Sequence, residues 1–497
     1  MAIVETRSGK VEGFERDGVQ VFRGIPYAAP PVGELRWQLP RREESWAGTR
    51  DATSFSAQSA QTEFALAKMM GESQPAYSED SLYLNVWTPA CDDARRPVMV
   101  WIHGGAFIWG AGDTPWYDGT KFATHGDVVV VTINYRLGPF GFMHLSDLFD
   151  GEFTGSGNAG IADQIAALEW VRDCIAAFGG DPEQVTVFGE SAGAASVGTL
   201  LGSPRARGLF RGAILESGAA SWVSTRARAT GIAERVVNNL GIRAGDTAAL
   251  LAVSTDAVLA ALPEFREDGV AALPFQPVVD GVVLAEAPLA AIAAGNAAGV
   301  RVLTGTNATE MTLFTLADPG MGTLDDGGIR TRLDGVFGPE GPSVLASYRA
   351  RRPDATPQEL WLALSTDAVF RIPAVRLLEA QVPHAPVWSY LFTFESPVFG
   401  GILRSTHALE IPFVFDTLDG TGADMLTGTG PERQGIADAM HRAWITFARD
   451  ADPQHPGIPS WPQYELGRRA TMRFDTECAL LDDPAGEDRA AFDGVVG

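Results

Sequence analysis

Ser191 stands in Gly189-Glu190-Ser191-Ala192-Gly193, a G-x-S-x-G pattern in which a serine occupies a tight turn from a strand into a helix. Its chemistry would be nucleophilic: the hydroxyl attacks a carbonyl carbon and carries the acyl group as a covalent intermediate. The two glycines suit a backbone that is strained and closely approached by its neighbours. The pattern alone says little, because 24 serines and 55 glycines in 497 residues supply about 0.3 such matches by chance. Its setting says more. The apolar run Val185 to Phe188 precedes it directly and the small-residue stretch Ala194 to Leu201 follows, so the turn has its strand and its helix. A helix N-terminus beside the serine also offers N–H groups to developing negative charge.

His103-Gly104-Gly105-Ala106-Phe107 follows the apolar run Val98 to Ile102. Residues with little side chain there let backbone N–H groups converge on one point, which a developing oxyanion requires. A turn with no ligand is the plainer reading of such a loop, and it loses ground once an elbow lies downstream. The serine also needs a base, usually histidine, oriented by a carboxylate. Of the seven histidines, those following Ser191 satisfy the chain order Ser, acid, His: His384, His407, His441 and His455. His407 lies in a loop-like stretch, Arg404 to Glu410, after the strand-like Val387 to Phe394, and is the expected base. His441 falls in a helix-like segment with Trp444 and Phe447, while His384 and His455 flank prolines in what reads as surface loop. The acid stays open among 62 acidic residues. Glu310 follows the strand-like Val300 to Leu303 and a turn, just past a carboxyl end where catalytic groups gather in open α/β sheets. Asp280 and Glu395 compete with it.

The elements that must hold these residues read as alternating strands and helices. Val98 to Ile102, Val128 to Ile133 and Val185 to Phe188 are short, β-branched and bounded by polar or glycine-rich segments, as strands buried on both faces are. Ala213 to Leu215 is a weaker fourth. Ile161, Ile165, Leu168, Val171, Ile175 and Phe178 recur at helical spacing between the second and third runs. Strand, helix, strand predicts a right-handed parallel crossover, and the chain as a whole an α/β protein with a mainly parallel sheet. No linker or repeat divides it, so one domain over 1–497 is expected. The interval 219–298 is rich in Ala, Arg and Leu and predicts helices, with only Pro274 to Val283 extended; it either roofs the site or packs on the sheet edge. Gly155-Ser156-Gly157-Asn158-Ala159-Gly160 satisfies G-x-G-x-x-G, but the strand a dinucleotide site needs is missing before it.

Composition narrows the function further. A hydrophobic share of 45% with 20% charged residues describes a globular protein. The formal charge of -24 repels nucleic acid and anionic membrane surfaces, so neither is an expected partner. No apolar stretch is long enough to span a membrane. The first residues lack the apolar core of a signal peptide. Three cysteines without metal-ligand spacing argue against a disulfide framework or a zinc site, and a cytoplasmic location is expected.

Taken together these motifs resemble the type-B carboxylesterase family, which includes bacterial para-nitrobenzyl esterases and the cholinesterases. The likeness runs through FRGIPYAAPPVGELRW (22–37), SEDSLYLNVW (78–87), WIHGGAF (101–107), NYRLGPFGF (134–142), GNAGIADQIAALEWV (157–171), FGESAGA (188–194), TGTNATE ending at Glu310, and THALEIPFVF (406–415). It implies an α/β-hydrolase fold with helical insertions around the active site. It implies Ser191 as nucleophile, Glu310 as acid and His407 as base, with an oxyanion hole from the N–H groups of Gly105, Ala106 and Ala192. Ser217 matches a buried supporting serine, and Gly104 and Glu190, inside the same motifs, join it as supporting residues. The implied substrate is a small carboxylic ester of short to medium acyl chain, cleaved in two acyl-transfer steps without metal or organic cofactor by a monomer or small homo-oligomer. Carbamate or amide hydrolysis by the same triad is the near alternative. A non-catalytic binding protein is the remote one, since such relatives typically lack a triad residue. Two departures matter. Ser81 stands where many animal relatives carry a disulfide cysteine, in keeping with a bacterial enzyme of a reducing compartment. Ala271-Ala272-Leu273-Pro274-Phe275 replaces the acyl-pocket aromatics of cholinesterases and hints at a wider pocket.

Overall fold

Long β-branched runs have no polar face, so they must be covered on both sides; the chain meets this with one large sheet wrapped by helices. The computed structural model describes residues 2–62, 76–262, 266–267, 270–271, 273–316 and 318–495. Its central sheet has eleven strands. In chain order these are β1 (Phe14–Arg16), β2 (Val19–Pro26), β3 (Tyr83–Thr88), β4 (Arg96–Ile102), β5 (Val129–Ile133), β6 (Gly180–Glu190), β7 (Gly212–Glu216), β8 (Arg301–Asn307), β9 (Val387–Phe392), β10 (Ala470–Phe474) and β11 (Ala479–Asp482). Across the sheet the order is β11-β10-β9-β8-β7-β6-β4-β5-β3-β2-β1. The strands from β4 to β10 pair in parallel, and antiparallel strands close both edges. Val98, Val100 and Ile102 of β4 pack into one core, Met99 and Trp101 into the core on the other face, and all five are fully buried.

Four helices position the chemistry: α1 (Ala159–Cys174), α2 (Ala192–Gly202), α3 (Ile372–Gln381) and α4 (Glu432–Asp450). The α1 crossover joins β5 to β6 as expected, and a 3₁₀ turn, Ile175–Phe178, completes its apolar stripe. The run Val185 to Phe188 is only the middle of a longer strand, so Glu190 itself ends β6. The expected strand to Phe394 stops at Phe392. The G-x-G-x-x-G segment is structural: Asn158 bonds both backbone groups of Val278, and a Cβ on Gly160 would fall 2.6 Å from Phe142 Cζ. Between 219 and 298 the described residues form the helices Arg226–Asn239, Thr247–Ala252, Thr255–Ala260 and Pro288–Ala293; the expected extended segment Pro274 to Val283 keeps only the strand Val278–Val279, paired with Ser224–Thr225, and a second short pair, Arg266–Glu267 with Val270–Ala271, lies outside it. No helix among the described residues is long and apolar enough to cross a membrane.

Candidate active site

Ser191 lies between the end of β6 and the start of α2 with φ 57° and ψ -122°. A non-glycine residue held at positive φ is strained, and strain of this kind concentrates at functional sites. The surrounding contacts enforce it. Ser191 N–H donates to Glu216 O at the end of β7 (2.9 Å), and its carbonyl accepts from Ala195 N–H (2.9 Å) in the first turn of α2. Gly189 and Gly193 are obligatory here, because a Cβ on either would lie 2.5 or 2.0 Å from Ile102 O.

The loop after β4 backs onto this turn. A Cβ on Gly104 would meet Glu190 Oε2 at 2.8 Å and Ser191 Cβ at 3.2 Å. Gly105 takes φ 107°, and a Cβ there would sit 2.1 Å from Trp109 O, so only glycine fits. Ala106 is also left-handed, at φ 54°. Among the described residues no protein acceptor pairs with the N–H of Gly105 or Ala106. Ala192 opens α2, where the first N–H groups have no intrahelical partner. Ala192 follows the serine directly, and the loop that carries Gly105 and Ala106 meets it at Gly104; unspent donors gathered at one point are what an oxyanion requires.

The segments that follow β8 and β9 bring together the expected base and its expected carboxylate. Glu310 Oε2 lies 2.7 Å from His407 Nδ1. Glu310 Oε1 accepts from the Asn307 backbone N–H at 2.7 Å, which fixes the carboxylate. Of the rivals, Asp280 closes a loop by accepting N–H bonds from Val282, Val283 and Leu284, and Glu395 is exposed. His441 is buried in α4 with Nδ1 facing Val414 O (2.8 Å). His384 faces Ala293 O (2.9 Å) and is only partly exposed. His455 is buried rather than in a surface loop; the proline-flanked segment docks on α4, with Nε2 3.0 Å from Ala439 O.

The structure does not join His407 to Ser191. Its Nε2 lies 3.1 Å from Glu190 Oε1, and among the described residues no hydrogen bond links it to the Ser191 hydroxyl. Catalytic hydrogen bonds are often long before substrate binds, and here a carboxylate competes for the same nitrogen. Burial alone would lower the imidazole, but Glu190, then Glu310 and Glu410, override it and push His407 up to about 9. Burial pushes Glu190 up to about 8 against the pull of His407.

Sequence reasoning missed the rest of this acid cluster. Glu410 is fully buried, accepts from Ser217 Oγ (3.2 Å) and Asn307 Nδ2 (2.5 Å), and is pushed up to about 7 by burial and then Glu310. Glu216, also fully buried, accepts from Trp444 Nε1 (2.7 Å), and burial, then Glu410, raises it well above a carboxylate's ordinary range. Glu410 could have been sought at three residues past His407; Glu216 carries no such signal. An aromatic wall completes the site. Phe370 and Phe314 lie 4.8 and 5.1 Å from the His407 ring, and Trp222, from the 219–298 interval, lies 5.6 Å from Phe370. The side chains of Ala271 and Ala272 lie outside the described residues, and Phe275 is buried in the core.

A strained serine at a strand-to-helix turn, on a parallel sheet flanked by helices, defines a serine hydrolase of the α/β-hydrolase fold. The chain belongs to the carboxylesterase family, whose model matches residues 1–491, and is a carboxylic ester hydrolase. It is similar to the para-nitrobenzyl esterase of Bacillus subtilis (strain 168), 40% identical over 492 residues covering 98% of this chain and 97% of that protein. It is similar to the phenmedipham hydrolase of Pseudarthrobacter oxydans, 34% identical with 96% of each chain covered. Among solved structures, the carboxylesterase EST55 of Geobacillus stearothermophilus matches with a TM-score of 0.91 and 45% identity, over 98% of this chain and 99% of that one.

Proposed function

We propose that this esterase acts through Ser191 as nucleophile, His407 as base and Glu310 as the carboxylate that orients it, within a single domain. The 2.7 Å pairing of Glu310 with His407, beside the strained serine, carries the reading. His407 takes the Ser191 proton as the hydroxyl attacks the ester carbonyl, and Gly105, Ala106 and Ala192 N–H groups hold the oxyanion. The imidazolium returns the proton to the departing alcohol, and water, activated by the same base, releases the acid. Before attack His407 must turn its Nε2 from Glu190 to Ser191, and Glu310 keeps the ring anchored at Nδ1 as it does so. Ser217, Gly104 and Glu190 support the triad: the first through Glu410, the second by letting the oxyanion loop touch the elbow, the third through the His407 field.

The aromatic surfaces beside His407 favour uncharged esters with an apolar alcohol. The acyl chain is short to medium, and para-nitrophenyl esters from acetyl to dodecanoyl measure it: kcat/KM peaks below dodecanoyl, and a maximum at dodecanoyl overturns this choice. Matched ester and carbamate substrates, turned over faster as esters, separate the reading from carbamate hydrolysis. The free thiols of Cys91, Cys174 and Cys478 support a cytoplasmic location; substrate is the only partner required, by a monomer or small homo-oligomer.

The field around His407 makes a pH prediction. The base works only when neutral, and its pKa is raised, so kcat/KM climbs with pH along a limb above histidine's ordinary value of about 6.5. Glu190→Gln removes the carboxylate nearest Nε2. The limb then moves to lower pH, by about 1 to 3 units. A pH–rate profile with an unmoved limb denies Glu190 this role.

A further inference from the structure

Three guanidinium groups converge on a crevice that takes no part in the chemistry above. It lies between the middle of β8, β9 and β10 and the helix α3, and Arg371, Arg469, Arg489 and Asp483 are among the residues that line it. The cavity is about 40 Å³, room for about three water molecules. That is too small for an ester substrate and the right size for one small oxyanion.

The donors outnumber the acceptors. Arg371 gives Nη2 to Asp367 (2.6 Å) and Nη1 to Pro484 O (3.2 Å), while its buried Nε has no partner. Arg469 spends only Nη1, on Tyr464 Oη (2.6 Å) and Glu379 (2.7 Å), leaving Nε and Nη2 unpaired among the described residues. Arg489 places Nε and Nη2 on Asp483 (3.2 and 2.9 Å), and Nη1 reaches only Asp493, at 3.9 Å. Asp483 is held below the usual carboxylate range by Arg489 first, then Arg469 and Arg371 despite burial, so all three cations surround one small space. Their side chains are 16, 15 and 21% exposed respectively. They are mostly desolvated yet reachable, the condition under which charge-assisted bonds to an oxyanion are strong. Ion pairing alone accounts for the docking of the 483–489 segment on the sheet; it leaves the unspent donors unexplained.

We propose that this crevice binds a small oxyanion, a carboxylate head group or inorganic phosphate, on Arg371, Arg469 and Arg489. The site has a route to the triad. Arg371 ends the π-helical turn Asp367–Arg371, a distortion frequent at functional sites, and the residue before it, Phe370, rests 4.8 Å from the His407 ring. An anion that draws on Arg371 therefore bears on the wall of the active site. If the carboxylate form binds, the acid released by hydrolysis is itself a ligand.

Thermal unfolding of the full chain in sodium phosphate and, separately, sodium acetate, each at ionic strength matched with sodium chloride, tests this. A bound anion produces a saturable rise in Tm of about 2 °C or more. The rise falls by at least half in Arg469→Gln and in Arg489→Gln, both of which keep turnover of para-nitrophenyl acetate in chloride and so report their own folding. A response to acetate identifies the carboxylate source, and one to phosphate alone the inorganic source. No saturable rise with either anion overturns the proposal, as does a rise that persists undiminished in both variants.

Discussion

Ser191→Ala lowers kcat on a para-nitrophenyl ester by roughly 10⁶-fold while leaving the fold intact. The magnitude is that of removing a triad serine elsewhere, where the residual rate over water comes from the oxyanion hole and binding. Alanine leaves Gly105, Ala106 and Ala192 untouched but supplies no atom to attack the carbonyl. Stability is spared for a definite reason. The contacts that hold residue 191 at φ 57° are backbone ones, to Glu216 O and from Ala195 N–H, and alanine keeps both. Alanine is no more strained there than serine. Tm therefore stays within about 2 °C, and labelling by a fluorophosphonate is lost together with turnover. A variant that keeps full turnover sinks the proposed mechanism.

Glu310→Gln costs about 10³- to 10⁴-fold in kcat with a smaller change in KM. Glutamine fills the same volume, so the packing stays and the charge goes. The Asn307 backbone N–H now needs the amide oxygen, which turns the amide N–H₂ toward His407 Nδ1. That nitrogen must then accept, so the proton moves to Nε2, the atom that has to take the Ser191 proton. Glu190, 3.1 Å from Nε2, stabilises this wrong tautomer further. A loss of less than tenfold shows that Glu310 does not orient the base. In the proposed triad the three residues act as a unit, so Ser191→Ala combined with Glu310→Gln is no slower than Ser191→Ala alone.

The reading of the acid shows where sequence reasoning stopped. Position after a strand left Glu310 level with Asp280 and Glu395, and likeness to the family favoured it. In the folded chain Asp280 spends one oxygen on three N–H groups of its own loop, Glu395 faces solvent, and Glu310 faces His407 across 97 residues of chain, which supports the proposal of Glu310. The histidines teach the same lesson. Prolines beside His455 promised a surface loop, yet that loop is folded against α4, a contact no local pattern encodes.

What the sequence by itself determined is everything that a few consecutive residues can encode: the buried β-branched strands and thus the α/β class, the elbow at Ser191, and the glycine loop after β4. Glycine at 105, 189 and 193 is a local signal because a Cβ there would collide with backbone, whatever else the chain does. Only the tertiary structure decided the electrostatics. Glu190, Glu310 and Glu410 come from three separate segments and act, all buried, on one imidazole, with buried Glu216 acting on Glu410 and Glu190 in turn. In a medium of low dielectric each carboxylate reads the others' protonation over several ångströms, so the proton affinity of His407 belongs to the folded cluster and to no single stretch of sequence.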